Sequence, residues 1–421
     1  MPSKIMQRLE GPIGALIFRV LAAGLSFLFG VVAARILGVD QFGIASVLLG
    51  MVNIGLVIAL LGHETLATRQ VATLTHQNTL RYQRSASRQT WMAGLATLAL
   101  AVTIVQFLPI GMQAGTAFLA LLVLIPLMAR TRLSQGLIRG AHLPSLSLLP
   151  DGIVRPSLAM GLLLLLAYFG YDKDSGFAAA LLISAILAMI YGIWLEHRAV
   201  TKTSVETADP PQQKPAFFSR DIFISSVLAV LVAQIALVAT GLLATPKDAG
   251  LFAAAERFAL AAGLIGQTVY LAVASRLATH HNNAETQSMR ALIRRSTRIV
   301  SISTIGLCIF IAIAANTLLD LYGQGFSEAK DALYLLLAAT AFNAIAGPTG
   351  QVLLMTKHEG LHLLAMLASL IIQAALIIAL VPEYGFNGAA LATLISTVIW
   401  NGLMMYFIKL KLTINPILAW A

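Results

Sequence analysis

The sequence predicts an all-α, polytopic membrane protein, and composition, run length and the placement of basic residues each point to it. Of the 421 residues, 58% are hydrophobic and 11% are charged. An ordinary soluble domain carries about 25% charged residues, so lipid rather than a water-covered core must solvate this much apolar surface. Apolar runs of a length that crosses a bilayer as a helix, about 17–25 residues, recur twelve times. They are too long, and lack the period of two, for membrane β-strands.

The predicted spans are 14–36, 42–61, 90–108, 115–138, 146–169 and 176–195 in the first half, then 222–243, 251–277, 299–321, 332–355, 361–381 and 389–407. Lys4 and Arg8 precede the first run as they would in a signal peptide, but the run is too long and Arg19 interrupts it, so it reads as a retained span. With the N-terminus placed in the cytoplasm, nineteen basic residues fall in cytoplasmic segments and three, Lys173, Lys247 and Lys330, on the other side. That asymmetry orients the chain with both termini inside. It also accounts for the net charge of +10 without any nucleic-acid partner.

The loops on the less basic side are short, which disfavours an enzyme that needs an external catalytic domain, such as a polysaccharide polymerase or ligase. The longest polar stretch, 196–220, contains Pro210 and Pro211 and lies at the midpoint of the chain, where it reads as a cytoplasmic linker. The predicted organisation is a six-helix lobe over 1–195, the linker 196–220 and a second six-helix lobe over 221–421. Three weak internal matches share an offset near half the chain: "AAALLIS" with "ALATLIS", "QGLIRGAH" with "QVLLMTKH", and the basic loop Arg81–Arg88 with Arg290–Arg298. An even number of helices per half gives parallel repeats related by an axis along the membrane normal.

Some features are excluded as sites. Cys308 is the single cysteine, so there is no intramolecular disulfide or multi-cysteine metal centre. "HEGLH", His358 to His362, matches the H-E-x-x-H zinc pattern, but it contains Gly360 and straddles a turn, and no third ligand accompanies it. His280 and His281 read as solvated. No P-loop is present, so no metal and no nucleotide cofactor is expected.

The stretch "AARILGVDQFGIAS" between the first two spans, followed in order by "GHETLATRQVA", "QGLIRGAH" and "LVPEYGFNGAALATLIS", resembles the polysaccharide transporter branch of the multidrug/oligosaccharidyl-lipid/polysaccharide (MOP) exporter superfamily. The resemblance implies two six-helix lobes around a central cavity that opens to each side in turn. It further implies a non-enzymatic flippase of a lipid-linked oligosaccharide, carried on undecaprenyl pyrophosphate across a bacterial inner membrane for O-antigen, lipopolysaccharide or related surface polysaccharide. Partners would be that lipid-linked oligosaccharide, membrane lipids and polysaccharide assembly proteins. Lipid II flippases and cation-coupled drug exporters belong to the same superfamily; the former commonly have fourteen helices, which fits twelve less well.

Apart from Arg276, which lies at the cytoplasmic edge of its span and is counted with the cytoplasmic residues, six arginines and no lysine fall inside the predicted spans: Arg19, Arg35, Arg130, Arg132, Arg155 and Arg257. The acids there are Asp151 and Glu256, with Asp320 near an end. Arginine keeps its charge away from water and offers a planar fork to phosphate oxygens, so a net cationic interior suits an anionic headgroup, whereas an exporter of organic cations calls for acids. Arg35 lies at an outer helix end and Arg132 can snorkel to the inner face. Arg155 stands four residues after Asp151, which makes mutual neutralisation on one helix face as good a reading as a site. Arg19, Arg130 and Arg257 lie roughly 9–12 Å inside their spans at 1.5 Å per residue and, with Arg155, are the candidate substrate-binding residues. Glu256 and Arg257 point about 100° apart on a helix, so only one can face a cavity; Arg257 is the expected substrate-facing member. Glu256 and Asp151 are candidates for H+ or Na+ coupling.

Overall fold

The computed structural model describes residues 12–108, 114–202, 216–283 and 285–412. They form helices and no strand. The first half contains α1 (Pro12–Leu37), α2 (Val39–Leu60), the short α3 (His63–Val71), α4 (His76–Gln106), α5 (Thr116–Gly140), α6 (Leu149–Tyr168) and α7 (Lys173–Lys202). The second contains α8 (Arg220–Leu243), α9 (Pro246–Asn282), α10 (Thr286–Ile313), α11 (Phe326–Ala346), the short α12 (Thr349–Met355) and α13 (Glu359–Leu412).

Among the described residues, eleven helices are long and apolar enough to cross a membrane. The last, α13, has 54 residues, about 81 Å at 1.5 Å per residue, more than twice a hydrocarbon core of about 30 Å. It is two helices joined at Gly385, whose φ of 53° and ψ of −133° are not helical. Counted on either side of that turn, the described residues hold the twelve predicted spans. The turn is pinned by Asp248 at the start of α9, whose Oδ1 accepts from the Phe386 amide at 3.3 Å. The same carboxylate closes a capping box with Thr245, so one side chain begins a helix and fixes a neighbouring turn.

Several predicted boundaries shift. Arg81–Arg88 and Arg290–Arg298, expected as loops, are the first turns of α4 and α10. The helical pattern simply continues out of the apolar stretch, which hydropathy alone does not register. The predicted span 332–355 is cut at Gly347, with a φ of 80°, followed by Pro348. Residues 196–202, expected in the linker, are the last turns of α7, while 203–215 lie outside the described residues, as do Lys4 and Arg8.

The chain forms two compact units, Met1–Val230 and Leu231–Ala421. The start of α8 belongs with the first because 216–223 pack there. Gln70 donates to the Ala216 carbonyl at 2.6 Å, Phe217 stacks on Tyr82, and Gly62 lies against Ile222 and Phe223. In this first unit α3 lies on α5 so closely that a Cβ at Gly136 would collide with the Glu64 carbonyl, and one at Gly140 with the Ala67 carbonyl and Val71. These are the glycines of "QGLIRG", and close helix approach is their physical reason.

Candidate transport sites in the two units

The close seating of α3 on α5 brings acids to arginines. Glu64 on α3 pairs with Arg139 of α5 and stands 4.0 Å from the Arg132 guanidinium. Arg132 Nε reaches Asp151 Oδ2 at 3.2 Å, and Arg155 Nε meets the other oxygen, Oδ1, at 2.6 Å. Asp151 lies in a π-helical turn, Leu149–Val154, that opens α6; such turns widen a helix and recur at functional sites. The result is a ladder of three guanidiniums and two carboxylates with one positive charge in excess. It is not sealed: the Arg132 side chain is 38% exposed and that of Arg155 21%. An incoming anion would find an arginine fork within reach and would compete with carboxylates already there. Of this ladder the sequence points to Arg155 and Asp151, places Arg132 toward the membrane face and Arg139 in a loop, and leaves Glu64 without a role. The signal for Glu64 lies in "GHETLATRQVA", which serves in the sequence only as a family marker.

Arg130, one turn from Ser134 on α5, occupies a different environment. It is 5% exposed and its guanidinium meets the wholly buried Glu196 of α7 at 2.9 Å. Ser134 donates to Glu196 Oε2 at 2.6 Å, and Gln83 of α4 donates to Oε1 at 2.6 Å. This quartet satisfies its charges internally and ties α4, α5 and α7 together. Arg130, expected to line a cavity, is therefore placed in packed core. Glu196 escapes sequence reasoning because its polar surroundings read as linker. At the start of α3, His63 is buried, with Nδ1 3.2 Å from the Tyr82 hydroxyl and Nε2 2.8 Å from Gln89 Oε1; burial holds its pKa below the ordinary histidine value. Arg19, on α1, is exposed and makes no ion pair with any described residue.

The second unit contains a cavity of about 220 Å³. Glu256 is the carboxylate that lines it among the described residues, together with Gln267, Tyr270, Thr340, Asn343 and Trp400. Asn343 also accepts from the Asn401 amide at 3.0 Å. Arg257, the neighbour expected to face the substrate, is not part of that lining and interacts instead with Tyr322. The 100° separation thus divides the pair, with Glu256 toward the cavity. Elsewhere, His280 pairs with Glu285 at 2.6 Å, and His358 precedes α13 with its Nδ1 3.0 Å from the Thr356 hydroxyl. Among the described residues no group of three His, Cys, Asp or Glu side chains could hold a metal ion.

A polysaccharide biosynthesis protein family model matches residues 10–275, more than half of the chain. The chain belongs to the polysaccharide branch of the MOP exporter superfamily. A second model, described as lipid II flippase MurJ, matches residues 157–421. Among solved structures, lipid II flippase MurJ in an inward closed conformation is similar with a TM-score of 0.74 at 14% identity, covering 94% of this chain and 87% of that one. A MOP superfamily transporter from Pyrococcus furiosus, whose binding pocket is described as of reverse polarity, is similar with a TM-score of 0.68 at 14% identity, over 98% of this chain and 99% of that one. The MATE multidrug transporter DinF-BH gives 0.66 at 15% identity, over 99% and 97%. At these identities the structural likeness establishes the fold. No curated protein sequence matches significantly. A MOP-family chain of this architecture is a multi-pass membrane transporter or flippase, not an enzyme.

Proposed function

We propose that this MOP-family protein is a flippase for an oligosaccharide linked to undecaprenyl pyrophosphate, moving it across the bacterial inner membrane by alternating access for surface polysaccharide assembly. The observation that carries this reading is the arginine excess in the first unit. Arg132 and Arg155 share Asp151, and Arg132 keeps more than a third of its side chain exposed. Phosphate accepts the guanidinium fork that the carboxylate now occupies. Arg19 and Arg257 join them as candidate substrate residues, whereas Arg130 is committed to Glu196. Glu256 is the proposed coupling residue for H+ or Na+, because it lines a cavity alongside Gln267, Tyr270, Thr340 and Asn343 and no described side chain forms an ion pair with it. Asp151 is a weaker coupling candidate, since two guanidiniums already match its charge.

Deletion of the gene is expected to accumulate an undecaprenyl-linked oligosaccharide on the cytoplasmic face. Complementation by Arg132→Gln with Arg155→Gln is expected to fall about tenfold or more, at membrane levels equal to wild type. Full transport by that variant would remove the cationic site from the mechanism. A lipid II flippase is the second reading, favoured by the MurJ model over residues 157–421. Rescue of a strain depleted of its lipid II flippase, with no change in surface polysaccharide on deletion, would select it.

A further inference from the structure

The basic residues of α4 and α10 are arranged in lines. On α4, Arg81, Arg84 and Arg88 are all exposed, while Tyr82, Ala86 and Thr90 on the opposite side are buried. Steps of three and four keep residues on one helix face. Continued along the helix, the same face carries Met92, Leu95 and Ala99, all exposed, with Met92 59% and Leu95 56% accessible. On α10, Arg290, Arg294 and Arg298 are exposed, and their face runs on through Ile302, Ile309 and Ile313, all exposed large apolar residues. Its other side buries Met289, Ile293, Thr297 and Val300. Neither helix contains an acidic residue.

An exposed apolar stripe on a membrane-crossing helix faces acyl chains. Arginines in line with its end therefore face the headgroups of the adjoining leaflet. Arg88 precedes Met92 by one turn, about 6 Å, and Arg81 lies about 10 Å further out at 1.5 Å per residue. The headgroup layer on each side is about 5–8 Å thick, and arginine stems reach several ångströms along a surface. A general preference for basic residues on the cytoplasmic side explains their sign and side. It does not explain why they are lined up with the lipid-facing stripe on the corresponding helix of each half.

We propose that α4 and α10 each form a binding site for an acidic phospholipid, whose phosphate is received by guanidiniums one turn apart, Arg84 with Arg88 and Arg294 with Arg298. The sites are separate from the transport sites: their residues belong neither to the Arg132–Asp151–Arg155 ladder nor to the lining of the cavity beside Glu256, and they act on the bulk bilayer rather than on the transported molecule.

The test is lipid retention by the full chain, purified in detergent and measured by native mass spectrometry with phosphatidylglycerol and phosphatidylcholine supplied together. Wild type is expected to retain phosphatidylglycerol preferentially. A basic residue near a membrane surface contributes about 1 kcal/mol, or about a fivefold change in affinity. Arg84→Gln with Arg88→Gln should therefore lower retention at one site by about 25-fold, and the matching Arg294→Gln with Arg298→Gln should do so at the other. Lysine at the same positions should keep the preference for the acidic lipid. High salt should weaken it in wild type, because these charges are exposed and screened. Equal retention of the two lipids by wild type, a preference indifferent to salt, or an undiminished preference in folded glutamine variants would each overturn the proposal. The salt series does not depend on whether the variants fold.

Discussion

Two arginines that look alike in the sequence, Arg130 and Arg132, meet opposite fates two residues apart on α5. Arg130 turns into the unit and pairs with Glu196, whereas Arg132 stays 38% exposed between two acids. The energetic consequences differ accordingly. Truncating one partner of a buried pair leaves an uncompensated charge and costs about 3–5 kcal/mol, while replacing both by apolar groups is often neutral. Glu196→Ala is therefore expected to lower the melting midpoint of the purified protein sharply, since Ser134 and Gln83 lose their acceptor as well. Arg130→Met combined with Glu196→Leu should recover most of that loss. If the double variant melts no higher than Glu196→Ala, the pair does not act as a compensated structural unit. The sequence offers no means to separate the two arginines, because depth in a span says nothing about which face a residue takes, and Glu196 is hidden by a helix that outlasts its apolar stretch.

At the scale of elements, glycine and proline carry most of the information that hydropathy lacks. The two helices of α13 are parted in the sequence by "PEYGFNG", and Gly385 is where the backbone leaves the helix. Its φ of 53° and ψ of −133° lie in a region that a residue with a Cβ enters at a cost of about 1–3 kcal/mol, and an added methyl would also run into Asp248 Oδ1. Gly385→Ala should accordingly destabilise the second unit by at least that amount, measured as a lower thermal midpoint, while Gly402→Ala, with open space around it, should stay near wild type. Equal midpoints for the two would mean that the turn is not strained. Twelve spans are legible because an apolar run of bilayer length has few other fates. The helical extensions of α4, α7 and α10 are not, since polar residues compatible with helix and with loop look the same without their packing partners.

For the whole molecule, the order of the spans fixes which connections share a side, and the basic residues choose which side that is. Arg81, Arg84 and Arg88 at the start of α4 and the arginines at the start of α10 lie at ends that alternate with the turns at Asp172 and Gly385. Lys/Arg bias near span ends sets orientation during insertion, and here the bias is nineteen to three. A reporter active only in the periplasm should be active when fused after Asp172 or Pro382 and silent after Lys202. A reporter active only in the cytoplasm should show the reverse at all three places. Both outcomes depend on odd and even crossings, so a missing or additional span between α7 and α13 would make Asp172 and Pro382 disagree. A periplasmic reading after Lys202 with cytoplasmic readings at the other two would invert the molecule. It would place the Arg132–Asp151–Arg155 ladder nearer the opposite leaflet, and with it the side from which an anionic headgroup first meets the protein.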